Sequence, residues 1–167
     1  MADNITARDL MKQSFLRLGA AHTLHEALGI LLDPQTRDKG PRILIVLNPD
    51  GTFAGTLTTR YLLKALLPVW VTDEGGAADS LEFEQRLLQS MQEKLGTKVS
   101  EAINRNIPAV SPEERLPRIM KIMQERRLDC LPVIEKDRVL GVIHITDLFN
   151  AAAQLALSSF GERERKK

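Results

Sequence analysis

The sequence predicts an α/β fold of the α+β kind: two helix-strand-strand-helix repeats packed as a pseudo-twofold pair. Three observations carry this expectation. The stretch Ile43-Leu-Ile-Val-Leu-Asn-Pro-Asp-Gly-Thr-Phe-Ala-Gly-Thr-Leu57 reappears as Cys130-Leu-Pro-Val-Ile-Glu-Lys-Asp-Arg-Val-Leu-Gly-Val-Ile143, an apolar run, a polar turn and a second apolar run broken by one glycine. The helical starts of the copies align without gaps, Leu24 with Leu116 and Ala7-Arg-Asp-Leu-Met11 with Val99-Ser-Glu-Ala-Ile103. The length differences fall where loops belong, within Asp33-Pro-Gln-Thr-Arg-Asp-Lys-Gly-Pro41 and in the turn Asn48-Pro-Asp-Gly51, both present in the first copy. Two copies are too few for a solenoid, which needs at least three stacked units. The implied boundaries are 1–68 for the first repeat, with a loop insertion at 33–42, then 69–96 for a linker with a helix at 79–95. The second repeat takes 97–160 and a charged tail 161–167.

Thr23-Leu-His-Glu26 has the form of a capping box, and Leu24, Ala27, Leu28, Leu31 and Leu32 follow at helical spacing, so a helix is expected over 24–33. Ser111-Pro-Glu-Glu114 has the same form in the second copy, but a helix begun there would hold Pro117 in its interior at a cost of about 3 kcal/mol. The repeat register instead aligns Arg115 with Thr23, which starts the helix near Leu116 and leaves Pro117 in the first turn. Ile43 to Leu47 and Thr52 to Leu57 read as a pair of strands, as do Cys130 to Ile134 and Arg138 to Ile143. Helical spacing then resumes with Leu62, Leu63, Leu66 and Leu67, and with Leu148, Phe149, Ala152 and Leu155.

Between the copies, Thr72-Asp-Glu-Gly-Gly-Ala-Ala78 reads as a flexible breaker. A helix follows, capped by Asp79 or Ser80, with Glu82 and Glu84 near its first turn and Leu81, Leu88, Met91 and Leu95 on one face. That face is expected to pack against the repeats or a partner chain.

Composition narrows the function classes. With 167 residues and 43% hydrophobic content, the chain can bury a core and is not compositionally disordered. A formal charge of +1, from 23 Lys plus Arg against 22 Asp plus Glu, supplies no bulk field to recruit nucleic acid or an anionic membrane. Glu162-Arg-Glu-Arg-Lys-Lys167 is locally basic and reads as a solvated or frayed terminus. No run approaches the ~20 apolar residues of a membrane span, and the N-terminus lacks a signal-peptide core, so a soluble cytoplasmic protein is expected. The single cysteine, Cys130, excludes an internal disulfide and sits in an apolar run where a buried thiol is the default.

The order helix, strand, strand, helix, with Leu131-Pro-Val-Ile134 in one strand and Gly141-Val-Ile-His-Ile-Thr-Asp-Leu148 closing the next, resembles the CBS domain, the module named after cystathionine beta-synthase. Two in tandem form a Bateman module, and the resemblance covers roughly residues 5 to 67 and 97 to 157. The second copy is the closer match. The first is degenerate, with Leu44-Ile-Val46 where proline is expected and Tyr61 where an aspartate would fall. The resemblance implies clefts between the paired repeats that bind AMP, ADP, ATP or S-adenosylmethionine as regulatory ligands. In that family an aspartate at the head of the last helix grips the ribose hydroxyls, and a Ser or Thr three residues earlier meets the phosphate. Asp147 matches the ribose position, and the phosphate position holds His144 in the second copy and Thr58 in the first. The apolar walls would come from Ile107, Pro108, Cys130 and Pro132.

The chemistry of these residues agrees. A carboxylate is a pure acceptor and can take both vicinal hydroxyl protons of a ribose. Asp147 follows a strand and opens a helix, where backbone N–H groups and the helix dipole favour an anion. Thr146 and Asp147 are equally placed to be simple helix caps. Tyr61 cannot accept two hydroxyls as a carboxylate does; its ring can stack on a base or cover the repeat interface. One competent cleft centred on Asp147 is therefore expected. His144 in the phosphate position would make binding pH-dependent if it contacts an anion.

Other constellations fall away. His22 and His25 lack further ligands nearby, and no metal site is expected. Gly75-Gly76 is not a phosphate-binding loop, and no nucleophile elbow or triad can be assembled, so catalysis is not expected. The resulting reading is a stand-alone tandem CBS protein, a homodimer that binds an adenosyl ligand and is read by an unidentified regulated protein. The alternative is a non-catalytic dimerisation scaffold whose nucleotide sites have decayed.

Overall fold

The computed structural model describes residues 4–37, 43–73 and 80–166. In its first half the chain forms α1 (Ala7–Leu10), β1 (Leu16–Gly19), α2 (Leu24–Leu32), α3 (Pro34–Arg37), β2 (Ile43–Leu47), β3 (Phe53–Thr58) and α4 (Thr59–Leu66). Then come α5 (Trp70–Asp73), α6 (Leu81–Lys94), a 3-10 turn at Val99–Glu101, α7 (Leu116–Glu125), β4 (Cys130–Glu135), β5 (Arg138–His144) and α8 (Ile145–Arg165). The fold is mixed α/β with antiparallel strand pairs, as the sequence predicts. Part of the insertion at 33–42, most of the breaker at 72–78, the candidate cap Asp79 and the extreme C-terminus lie outside the described residues.

The chain divides into two compact units, Leu16–Asn106 and Met1–Phe15 joined by Ile107–Lys167. These are not the two repeats taken end to end, because each unit contains the lead-in segment of the other repeat. In the first unit, β1 pairs in parallel with β2, β2 pairs antiparallel with β3, and Asn104 bridges Thr56 of β3 through N–H···O bonds of 2.8 and 3.2 Å. In the second unit, Val110 bridges Val133 of β4 in parallel, β4 pairs antiparallel with β5, and Lys12 bridges Val142 of β5 through bonds of 2.9 and 3.0 Å. The correspondence extends to the helix starts: Leu24 N–H donates to Thr97 C=O at 2.9 Å, and Leu116 N–H donates to Ile5 C=O at 3.0 Å. The aligned segments at Ala7 and Val99 both form single helical turns with fully buried first residues.

The glycine shared by the two copies is explained by this exchange. A Cβ on Gly55 would lie 2.6 Å from the Asn104 carbonyl oxygen, and one on Gly141 would lie 2.8 Å from that of Lys12. Only glycine admits a backbone so close. Pro132, inside β4, loses no ladder bond to β5, because its carbonyl accepts from Val110 N–H on the opposite side.

Apolar alternation builds one core per unit. Leu18, Leu24, Leu31, Leu44, Val46, Leu57, Leu62 and Leu66 meet in the first, and Ile119, Met123, Leu131, Val133, Ile143 and Leu148 in the second. Thr23 caps α2 by accepting from Glu26 N–H at 3.3 Å, while the Glu26 carboxylate meets the His22 ring with one oxygen and accepts from the Thr23 hydroxyl with the other. The His22 ring holds that carboxyl below its usual range. α7 starts at Leu116 with Pro117 in its first turn, as the repeat register requires. Lys136 and Asp137, both at positive φ, make the two-residue turn between β4 and β5.

Several expectations are corrected. β1 is absent from the sequence reading, because Leu16-Arg-Leu-Gly19 is short, carries a charge and is held by a distant partner strand. Ser80 caps α6 by accepting from Phe83 N–H, but the expected α6 face divides: Met91 and Leu95 pack on the core, while Leu81 and Leu88 are exposed. The tail read as solvated or frayed is exposed over 162–166 and helical as far as Arg165, since the Glu and Arg that follow Gly161 are good helix formers.

Gly141→Ala should lower the unfolding free energy by about 1–3 kcal/mol, because the new methyl must displace the Lys12 backbone; urea titration measures this. Thr56 is fully buried in β3, and its hydroxyl has no partner among the described residues. Thr56→Val keeps the shape and removes the unpaired hydroxyl, and should stabilise the protein by about 1 kcal/mol in the same titration.

Candidate functional site

The second unit gathers most of the expected site residues at one end of the β4–β5 hairpin. Cys130 opens β4 opposite His144, the last residue of β5, and α8 begins at the next residue. Val110 bridges Val133 in parallel, and Ile107 and Pro108, both half-buried, precede that bridge by three and two residues. Side-chain alternation places Leu131, Val133 and Ile143 on the face that packs against the helices. Cys130, Pro132, Val142 and His144 therefore share the other face, where all four are buried.

His144 is the N-cap of α8 but makes no side-chain capping bond, and Asp147 lies in the first helical turn. Neither Thr146 nor Asp147 is therefore the N-cap, and Thr146 is exposed. The Asp147 side chain is only 21% exposed; its Oδ1 is 3.6 Å from the Lys12 ammonium. Its Oδ2 is buried with no hydrogen-bond partner among the described residues, and so is His144 Nδ1. A buried polar atom left unpaired costs about 1–3 kcal/mol, so two within one turn of a helix start mark a place where an added donor and acceptor would be stabilising.

Electrostatics follow from burial. Desolvation pushes the His144 imidazole below its ordinary pKa, against the pull of the Asp147 carboxylate, and Lys12 adds to the depression. Burial pushes the Cys130 thiol up to about 12, with Asp129 contributing, so the thiol stays protonated and is no nucleophile. Lys12 was missed in the sequence because it lies far from Asp147 along the chain. The signal that could have found it is the repeated glycine, which demands a close backbone neighbour at Gly141.

The two remaining candidates lie in the other unit. Thr58 caps α4, its hydroxyl oxygen accepting from Tyr61 N–H at 3.3 Å. Tyr61 is half-buried and packs against that unit's core. Thr58 and Tyr61 thus occupy the same local positions as His144 and Asp147, but a cap and a packed ring replace the unpaired polar atoms. Among the described residues, no three His, Cys, Asp or Glu side chains converge as a metal site would require.

The family model for the CBS domain matches residues 99–154, the stretch that holds α7, β4, β5 and the first turns of α8. Residues 99–154 are a CBS domain. CBS domains are regulatory modules rather than catalytic ones. The rest of the chain shares the fold of solved CBS proteins. A CBS-domain-containing protein of unknown function from Kribbella flavida is 20% identical, with 89% of this chain and 98% of that one covered at a TM-score of 0.69. A CBS-domain-containing protein from Agrobacterium tumefaciens is 25% identical over 88% and 92% of the two chains, with a TM-score of 0.61. The protein CBSX2, solved in complex with AMP, is 17% identical over 90% and 98%, with a TM-score of 0.64. No curated protein matches the sequence. Among the described residues, no helix is long and apolar enough to cross a membrane.

Because the folded protein holds His144 neutral more strongly than the unfolded chain does, the unfolded state binds more protons near the ordinary imidazole range. Stability contributed by this residue is complete above the unfolded pKa of about 6.5 and is lost as pH falls through the depressed folded value. The melting temperature should therefore drop on acidification from neutral pH, and His144→Gln should flatten that part of the profile in calorimetry.

Proposed function

We propose that this CBS-domain protein is a regulatory module that binds an adenine nucleotide, AMP, ADP or ATP, or the related S-adenosylmethionine, at the start of α8. It works as a cytoplasmic homodimer, without metal, catalysis, nucleic acid or membrane contact, and its ligand state is read by a separate regulated protein. The observation that carries this reading is the buried, unpartnered Asp147 Oδ2 beside the buried, unpartnered His144 Nδ1. A ribose supplies the two hydroxyl donors that such a carboxylate lacks, and Ile107, Pro108, Cys130 and Pro132 supply apolar surface for a base at the same end of the hairpin. Binding of AMP by the similarly folded CBSX2 supports the same ligand class. Thr146, being exposed, contributes at the rim. We assign no equivalent site to Thr58 and Tyr61, whose polar atom and ring are engaged in capping and packing.

The ligand acts by differential affinity. If it binds one conformational state better, it shifts the population by no more than that difference, and the regulated protein recognises the favoured state.

Thermal shift in AMP, ADP, ATP and S-adenosylmethionine tests this. At ~100 times its dissociation constant, a true ligand adds about 2.7 kcal/mol and raises the melting temperature. Asp147→Ala should abolish the rise while the variant stays folded. A flat response to all four compounds would favour the scaffold reading. His144 adds a second signature: a phosphate beside it stabilises the imidazolium, so AMP should bind more tightly as pH falls from 7.5 to about 6, whereas adenosine should not. Isothermal titration at the two pH values distinguishes them.

A further inference from the structure

The ammonium at the candidate site is already engaged. Lys12 Nζ lies 3.6 Å from Asp147 Oδ1, and the two residues belong to the same compact unit. The Lys12 backbone is held at both polar atoms, its N–H donating to Val142 C=O at 2.9 Å and its C=O accepting from Val142 N–H at 3.0 Å. Its side chain is far freer, 60% exposed against 21% for that of Asp147. A pair this long with one open partner contributes little and exchanges readily.

The pairing makes the two carboxylate oxygens unequal. Oδ1 faces the ammonium, whereas Oδ2 is buried and has no hydrogen-bond partner among the described residues. A vicinal diol that donates to both oxygens therefore competes with Lys12 for Oδ1. A nucleoside without a phosphate displaces the ammonium and offers it no new anion. A 5′ phosphate offers one. A ribose laid on Asp147 carries its 5′ substituent a few bonds away, within the sweep of a lysine's flexible four-carbon stem. His144 lies in the same field: it is nine-tenths buried with Nδ1 unpartnered, and its pKa is lowered first by burial, drawn up by Asp147 and pushed down by Lys12. A sulfonium at the 5′ position, as in S-adenosylmethionine, sets a cation beside the displaced ammonium instead.

We propose that Lys12 makes this site selective for phosphorylated adenosyl ligands, its ammonium passing from Asp147 to the phosphate as the ribose hydroxyls take the carboxylate. Ribose and phosphate then favour each other's binding, and the sulfonium ligand is rejected. The inference rests on the nucleotide reading above and narrows it to AMP, ADP and ATP.

Isothermal titration of AMP, adenosine and S-adenosylmethionine against the full chain tests it, with Lys12→Met and Lys12→Arg as variants and circular dichroism as the check on folding. Lys12→Met keeps the backbone bridge and an apolar stem. The wild type should bind AMP about tenfold more tightly than either other ligand, the factor that one charge-assisted hydrogen bond supplies. Lys12→Met should weaken AMP by about tenfold and tighten adenosine by about two- to fivefold, since the competitor for Oδ1 is gone. Lys12→Arg should keep the preference for AMP. A merely structural lysine would move both ligands in the same direction. An unchanged ratio of AMP to adenosine affinity in Lys12→Met, or a wild type that binds S-adenosylmethionine as tightly as AMP, would overturn the inference; binding that Asp147→Ala abolishes would leave the nucleotide reading standing. A wild type that binds none of the three would overturn both.

Discussion

One close backbone crossing ties together each of the two compact units. At each, the lead-in of one repeat runs along the second strand of the other, Lys12 on Val142 and Asn104 on Thr56, and a glycine beside the crossing leaves room for the carbonyl. Because the trade is reciprocal, each compact unit carries the lead-in segment of the other repeat. The exchange satisfies the outward-facing N–H and C=O of Thr56 in β3 and of Val142 in β5, on edges that would otherwise invite pairing with other chains. It also supplies the helix starts at Leu24 and Leu116 with their backbone partners.

The candidate site is a by-product of the same architecture. The Lys12 crossing delivers an ammonium to the Asp147 carboxylate, while β5 ends at His144, so that a cation, an anion and a neutral imidazole surround one helix start. In the other unit the crossing residue is Asn104, the helix start is capped by Thr58, and Tyr61 stands where the carboxylate would be. Equivalent backbones thus present different chemistry, and the asymmetry lies in a few side chains rather than in the fold.

How much of this could be read from residues alone depends on distance along the chain. The strands at Ile43 and Cys130, the start of α7 at Leu116 and the cap at Ser80 are written in local patterns of apolar spacing, capping and turn chemistry. Asp147 and His144 were legible because one repeat could be laid over the other. β1 and the contact of Lys12 with Asp147 were not, since each depends on partners many residues away and leaves only a faint local trace. The exposure of Leu81 and Leu88 was illegible for a related reason: an apolar helical stripe states that something should cover it without saying how much of it the fold will reach.

One consequence follows from where Lys12 sits in the chain. Only Gln13, Ser14 and Phe15 separate it from Leu16, where β1 begins in the other compact unit. Lys12, bonded through its backbone to Val142, and Leu16, registered with Leu44, thus bracket the passage of the chain from one unit to the next.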